Sequence, residues 1–172
     1  MPPRVNEDIE KRTFAALVDN EPGVLARVVG LFSARGYNIE SLTVAETDPA
    51  TRVSRITIVT SGTPLILEQI RAQLERMVSI RQVQDVSRDP QGIERELALL
   101  KVRGVGERRA EALRLAGIFR AKVIDTSHES FVFELTGASS KIDKFVDLMQ
   151  PLGLVEMSRT GVLSLTRGDK AS

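Results

Sequence analysis

Apolar residues in this chain change their spacing in a fixed order, and the order occurs twice. Residues 12–18 read as a strand, with a continuous apolar run from Phe14 to Val18. Val24, Leu25, Val28, Val29, Leu31 and Phe32 then recur at the spacing of a helix face. Two further strands follow, at 38–46 through Ile39, Leu42 and Val44 and at 53–60, where Ile56 and Ile58 alternate with Thr57 and Val59. A second helical stripe (Leu67, Ile70, Leu74, Met77) and a last strand at 78–86, with Ile80, Val83 and Val86 as its apolar members, complete the set. The order is β-α-β-β-α-β over about eighty residues, a split βαβ plan with two helices on one face of an antiparallel sheet. Such a sheet has a second face, which must be polar or be covered by a partner or another domain.

Breakers mark the joints. Pro22 is placed to open the first helix, since its missing N–H is not needed at the first helical position. Gly36 stops that helix. Residues 47–51 read as a turn. Thr63 is a candidate cap and Pro64 the first residue of the second helix. Arg88-Asp89-Pro90-Gln91-Gly92 reads as part of a linker, 88–95.

The second half has the same plan with one extra strand. Strands are expected at 96–102, 121–126 and 130–136, and helices at 107–115, ended by Gly117, and 141–152, ended by Gly153. Short strands at 154–159 and 162–166 flank Thr160-Gly161, a hairpin signal. Phe131, Phe133 and Leu135 alternate with Val132 and Glu134 and read as core. The fold class is therefore α+β, with two consecutive ferredoxin-like βαββαβ domains. The expected division is an arm at 1–11, a first domain at 12–87, a linker at 88–95, a second domain at 96–168 and a tail at 169–172.

Composition removes several function classes. The 172 residues carry 24 basic and 23 acidic side chains, a net charge of +1. That balance gives no general drive toward nucleic acid or anionic lipid. There is no Cys and only one His. Thiol catalysis, disulfides and a multi-histidine metal site within one chain are excluded. No window reaches the roughly 18–20 apolar residues of a membrane helix, the N-terminus lacks a signal-peptide core, and a cytoplasmic protein fits. His128 beside Glu129 reads as a surface histidine, and Asp8-Glu10 and Glu94-Glu96 as solvated carboxylates. No catalytic residue is assigned.

Asp19-Asn20-Glu21-Pro22-Gly23-Val24-Leu25 is the candidate binding stretch. A helix N-terminus has unpaired N–H groups and a partial positive charge, which suit a carboxylate. Gly23 keeps a Cβ out of the entrance. Asn20 offers both a donor and an acceptor. These groups could hold both ends of a free amino acid.

That stretch, continued through Gly30-Leu31-Phe32-Ser33-Ala34-Arg35-Gly36-Tyr37-Asn38-Ile39-Glu40-Ser41-Leu42-Thr43-Val44, resembles the small, regulatory subunit of acetolactate synthase (acetohydroxyacid synthase). The resemblance extends through Ile124-Asp125 and Ser158-Arg159-Thr160-Gly161-Val162 to Ser164-Leu165-Thr166-Arg167-Gly168-Asp169-Lys170. It implies that the first domain is an ACT domain, an amino-acid-binding module. It implies a non-catalytic chain that activates a large catalytic subunit and confers feedback inhibition by valine, or by leucine or isoleucine. Thiamine diphosphate, Mg²⁺ and FAD are then expected on the catalytic subunit, and no cofactor on this chain. Two ACT domains are expected to pair side by side in a homodimer. The effector would lie between Asn20, Gly23, Val24 and Leu25 of one chain and Asn38 and Ile39 of its partner, with the apolar side chains of Val24, Leu25 and Ile39 selecting a branched substituent.

Two rival readings remain. The chain could be a stand-alone ACT-type amino-acid sensor. It could also bind nucleic acid through Gly104-Val105-Gly106 and Arg103, Arg108 and Arg109, but that motif requires a helix before the glycines, where the sequence reads as strand. RNA binding by an aromatic sheet face lacks the necessary aromatic string around Phe131 and Phe133.

Overall fold

The computed structural model describes residues 8–169. Most of the expected N-terminal arm and the last residues of the tail lie outside the described residues. The element order is β1 (Glu10–Asp19), α1 (Val24–Arg35), β2 (Ser41–Asp48), β3 (Val53–Gly62), α2 (Pro64–Glu75) and β4 (Ile80–Asp85), then β5 (Gly92–Arg103), α3 (Gly106–Phe119), β6 (Lys122–Thr126), β7 (Ser130–Gly137), α4 (Ser139–Gly153), β8 (Leu154–Arg159) and β9 (Leu163–Thr166). A 3-10 turn, Val86–Arg88, follows β4. The double βαββαβ plan is present, with a ninth strand at the end.

The first sheet has the order β2-β3-β1-β4. Phe14 pairs with Ile58 and Ala16 with Ile56 across the antiparallel β1–β3 ladder. These residues share a face, and α1 (Val24, Val28, Phe32) and α2 (Leu67, Ile70, Leu74) pack onto it. The alternate residues Thr13, Ala15, Thr57 and Val59 point to the opposite face and are also buried. The centre of the second face is thus covered rather than bare. Arg12 is 2% exposed; its guanidinium reaches Glu68 of α2 at 2.6 Å and Glu10 at 3.1 Å. Glu10 and Lys11, expected in the arm, belong to β1 because this network and the pairing Glu10↔Gly62 hold them in the sheet.

The second sheet has the order β6-β7-β5-β8, with β9 also pairing β5. Ala98, Leu100 and Val102 lie beside Phe131, Phe133 and Leu135 under α3 and α4. Phe133 and Phe119 each meet the ring of Phe145, at 6.0 and 5.2 Å. The reading of Phe131 and Phe133 as core residues holds.

Several local expectations differ. The linker expected at 88–95 ends early, because β5 begins at Gly92. Thr160-Gly161 does not turn a hairpin: β9 pairs β5, the strand that β8 also joins. The break is held by Thr160, whose N–H donates to Leu97 C=O at 3.0 Å and whose Oγ1 accepts from Leu97 N–H at 3.1 Å. Gly117 does not stop α3, which runs to Phe119 and is closed by Arg120 in the left-handed conformation (φ 58°). Glu96 is not solvated. It is 4% exposed, and its carboxylate accepts from Arg159 Nε at 2.6 Å and from Ser139 Oγ at 2.5 Å.

The chain divides into two compact units. One runs through Ile93 and also takes in the segment from Ser164; the other is Glu94–Leu163. The returning segment is tied to the first unit by polar contacts. Thr166 Oγ1 accepts from Gln84 Nε2 at 2.7 Å and donates to Asp89 Oδ2 at 3.1 Å, and Arg167 N–H donates to Gln91 C=O at 2.9 Å. The last strand, expected in a second domain at 96–168, is therefore shared out at Ser164.

Candidate functional site

The corner between β1 and α1 is built by backbone bonds. Asp19 N–H donates to Ser79 C=O at 2.9 Å, Asn20 N–H to Arg52 C=O at 2.8 Å, and Glu21 N–H back to Asp19 C=O at 2.8 Å. That last tight turn brings Pro22 before the helix, not into it. Gly23 is the N-cap, at φ 85° and ψ −3°. A left-handed φ here favours glycine, and a Cβ at this position would have no atom within 4 Å. No side chain caps α1. Val24 N–H donates to Glu21 C=O at 3.4 Å and the first helical bond runs from Arg27 N–H to Gly23 C=O at 3.0 Å, so the amides of Leu25 and Ala26 are left for another partner, and anions suit that position.

The six expected site residues fall into two groups. Asn20, Gly23 and Leu25 are exposed at the N-terminal end of α1. Val24 differs from expectation. It is 4% exposed within its own core, so its side chain cannot line an open pocket and only its backbone bears on the corner. Leu25, 41% exposed, stands outward.

Asn38 and Ile39 follow the other end of α1. Gly36, at φ 67°, and Tyr37 form the helix stop: Gly36 N–H donates to Ser33 C=O and Tyr37 N–H to Phe32 C=O at 2.9 Å. The ring of Tyr37 meets that of Phe32 edge-on at 6.0 Å. This is the paired-bond C-terminal motif with its hydrophobic contact, and it explains why Gly-Tyr stands here. Asn38 C=O then accepts from Thr60 Oγ1 at 2.6 Å, while its side chain is exposed and Ile39 is half-buried against the core. The two groups are separated by a twelve-residue helix, about 18 Å at 1.5 Å per residue. One chain does not bring them together.

Sequence reasoning missed the polar surroundings of Asn20. Asn20 Nδ2 donates to Glu46 Oε1 of β2 at 3.2 Å. Asp19 pairs with Arg81 at 2.5 Å, and Glu21 with Arg27 at 3.8 Å. The first two of these contacts reach strands far away in sequence, β2 and β4, and no local pattern marks them. Among the described residues no three His, Asp or Glu side chains converge as a metal site, and no helix is long and apolar enough to cross a membrane. His128 is exposed. Gly104 and Gly106 follow strand β5, which removes the helix that the nucleic-acid motif requires.

Residues 14–82 match the model of the acetohydroxyacid synthase (AHAS) small subunit-like ACT domain, and residues 95–168 match that of the small subunit of acetolactate synthase. The chain belongs to the acetolactate synthase small-subunit family. The acetolactate synthase small subunit of Haemophilus influenzae is 45% identical over 161 residues, covering 93% of this chain and 98% of that one. The isozyme 3 small subunit of Escherichia coli is 44% identical over 161 residues, with the same shares. The crystal structure of the acetolactate synthase small subunit from Thermotoga maritima superposes with a TM-score of 0.81 at 37% identity, covering 94% of this chain and 99% of that one. Membership in the family makes the first βαββαβ unit an ACT domain and gives the β1–α1 corner its context.

Proposed function

We propose that this chain is the regulatory partner of a large catalytic subunit of acetolactate synthase, raising that subunit's activity and carrying the site for feedback inhibition by valine or a related branched-chain amino acid. The observation that supports this most is the uncapped N-terminus of α1 behind an open, left-handed Gly23, in a chain of this family. Amides of the first turn would take the effector's carboxylate. Asn20, with backbone carbonyls near Asn38 of a second copy, would take its ammonium. Leu25 and Ile39 would face the aliphatic substituent. Because the two groups sit at opposite ends of α1, a complete site requires two chains, and a side-by-side homodimer of ACT domains supplies it.

In this reading thiamine diphosphate, Mg²⁺ and FAD belong to the catalytic subunit, in the cytoplasm, and this chain contributes no reacting group. Its effect is a coupling between effector and catalytic subunit, typically 1–3 kcal/mol and reciprocal in binding.

Calorimetry with Gly23→Asp tests the site. Asp tolerates a left-handed backbone better than most residues, and no neighbour obstructs a Cβ here, so the fold should stand. Its carboxylate would lie where the effector's carboxylate belongs. The wild-type chain should bind L-valine and the variant should show no measurable heat. Unchanged affinity in Gly23→Asp would remove this corner from the site.

A further inference from the structure

Asn20 is held at both ends by the β2–β3 hairpin. Its backbone N–H donates to the carbonyl of Arg52, and its side-chain amide to Glu46 at 3.2 Å. The hairpin is itself fixed. Asp48 Oδ1 accepts from Ala50 N–H at 3.0 Å, and Arg52 stands in the left-handed region at φ 52° to present its carbonyl. A carboxamide has one donor end and one acceptor end, whereas an ionised carboxylate only accepts. Glu46 therefore dictates which way Asn20 faces: the NH₂ end turns to the carboxylate, and Oδ1 is left to accept from a ligand. The neighbouring acids are neutralised differently, Asp19 by Arg81 and Glu21 by Arg27. Among the described residues no cationic side chain pairs with Glu46, so its charge also acts on whatever lies beside Asn20.

We propose that Glu46 is a positioning residue that makes the effector site demand an ammonium group. An amino acid and the 2-oxo acid of the same carbon skeleton share the carboxylate and the side chain. They differ at one atom, where the ammonium only donates and the oxo oxygen only accepts. An Asn20 locked with Oδ1 outward accepts the first and repels the second. The site would thus separate a branched-chain amino acid from its 2-oxo acid, although size and hydrophobicity hardly distinguish them. This inference rests on the reading of the β1–α1 corner as the effector site.

The test is calorimetric titration of the full-length chain with L-valine and, separately, with 3-methyl-2-oxobutanoate. Glu46→Gln keeps the size but offers Asn20 both a donor and an acceptor, so the amide is free to flip. Valine affinity should fall about tenfold, the effect of losing one hydrogen bond to a charged group. The ratio of valine to oxo-acid affinity should fall by at least as much. Glu46→Asp, which keeps the charge, should recover part of that ratio, a result a merely structural role would not produce. Glu46 is exposed on an edge strand, so both variants should unfold at the wild-type temperature. A Glu46→Gln ratio within twofold of wild type overturns the role of Glu46, and if Gly23→Asp still abolishes valine binding the effector site itself stands. A wild-type chain that binds neither ligand overturns both.

Discussion

Glu96 lies in β5 at 4% exposure, bound by Arg159 of β8 and Ser139 of α4, and Arg159 extends a second bond to Asp143 at 2.6 Å. Hydrogen bonding to Glu96 is the largest of the effects that hold the Arg159 guanidinium well above its usual range. Deleting one partner of such a pair leaves a buried charge without compensation. Arg159→Met should lower the stability of the second unit by about 2–3 kcal/mol in urea denaturation, less than a fully buried pair because Arg159 keeps some exposure. Arg114→Met breaks only an exposed pair with Glu111 and should leave the midpoint unchanged. Glu96 reads as solvated in the sequence because nothing within five residues signals its partner, 63 positions away. The Asn20–Glu46 contact is hidden for the same reason. The amide and glycine chemistry of the corner is local and legible; the charges that orient it are not.

Element boundaries divide along a similar line. Thr63 caps α2 through its side chain with Pro64 in the first turn, and Gly36 stops α1 in the left-handed conformation, as their residue types require. The stop of α3 is illegible because Arg120, not a glycine, takes the left-handed position, its N–H reaching the carbonyls of Ala116 and Gly117. Gly117, inside the helix, carries no stop signal without that geometry. Pro22 misleads in the opposite sense: its fixed φ suits a first turn, but the Glu21–Asp19 turn places it two residues before the first helical residue, Val24. The helix stops give a paired prediction. Gly36→Ala should cost about 1 kcal/mol and Arg120→Gly should gain up to about 1 kcal/mol, since a side chain in the left-handed region is disfavoured by that order. Shifts of the denaturation midpoint in opposite directions would bear this out; a gain from Gly36→Ala would contradict the assignment of the cap.

The whole molecule is two βαββαβ units on one chain, a plan the repeated order of hydrophobic periods made legible from end to end. The return of the segment from Ser164 to the first unit was not, since it depends on the bonds of Thr166 to Gln84 and Asp89. In the proposed reading the effector site is likewise larger than one chain, because the helix that carries its first group holds the second group about 18 Å away. An effector that completes such a site favours the paired arrangement to which it binds best, and only that preference can shift an activity elsewhere. The most direct test is to mix this chain with a large catalytic subunit of acetolactate synthase and to follow acetolactate formation with and without valine, for wild type and for Gly23→Asp. Both chains should raise the activity of the catalytic subunit, and valine should reverse that rise for the wild type alone. Failure of the wild-type chain to raise the activity, or inhibition of the Gly23→Asp mixture at the same valine concentration as wild type, would contradict the account.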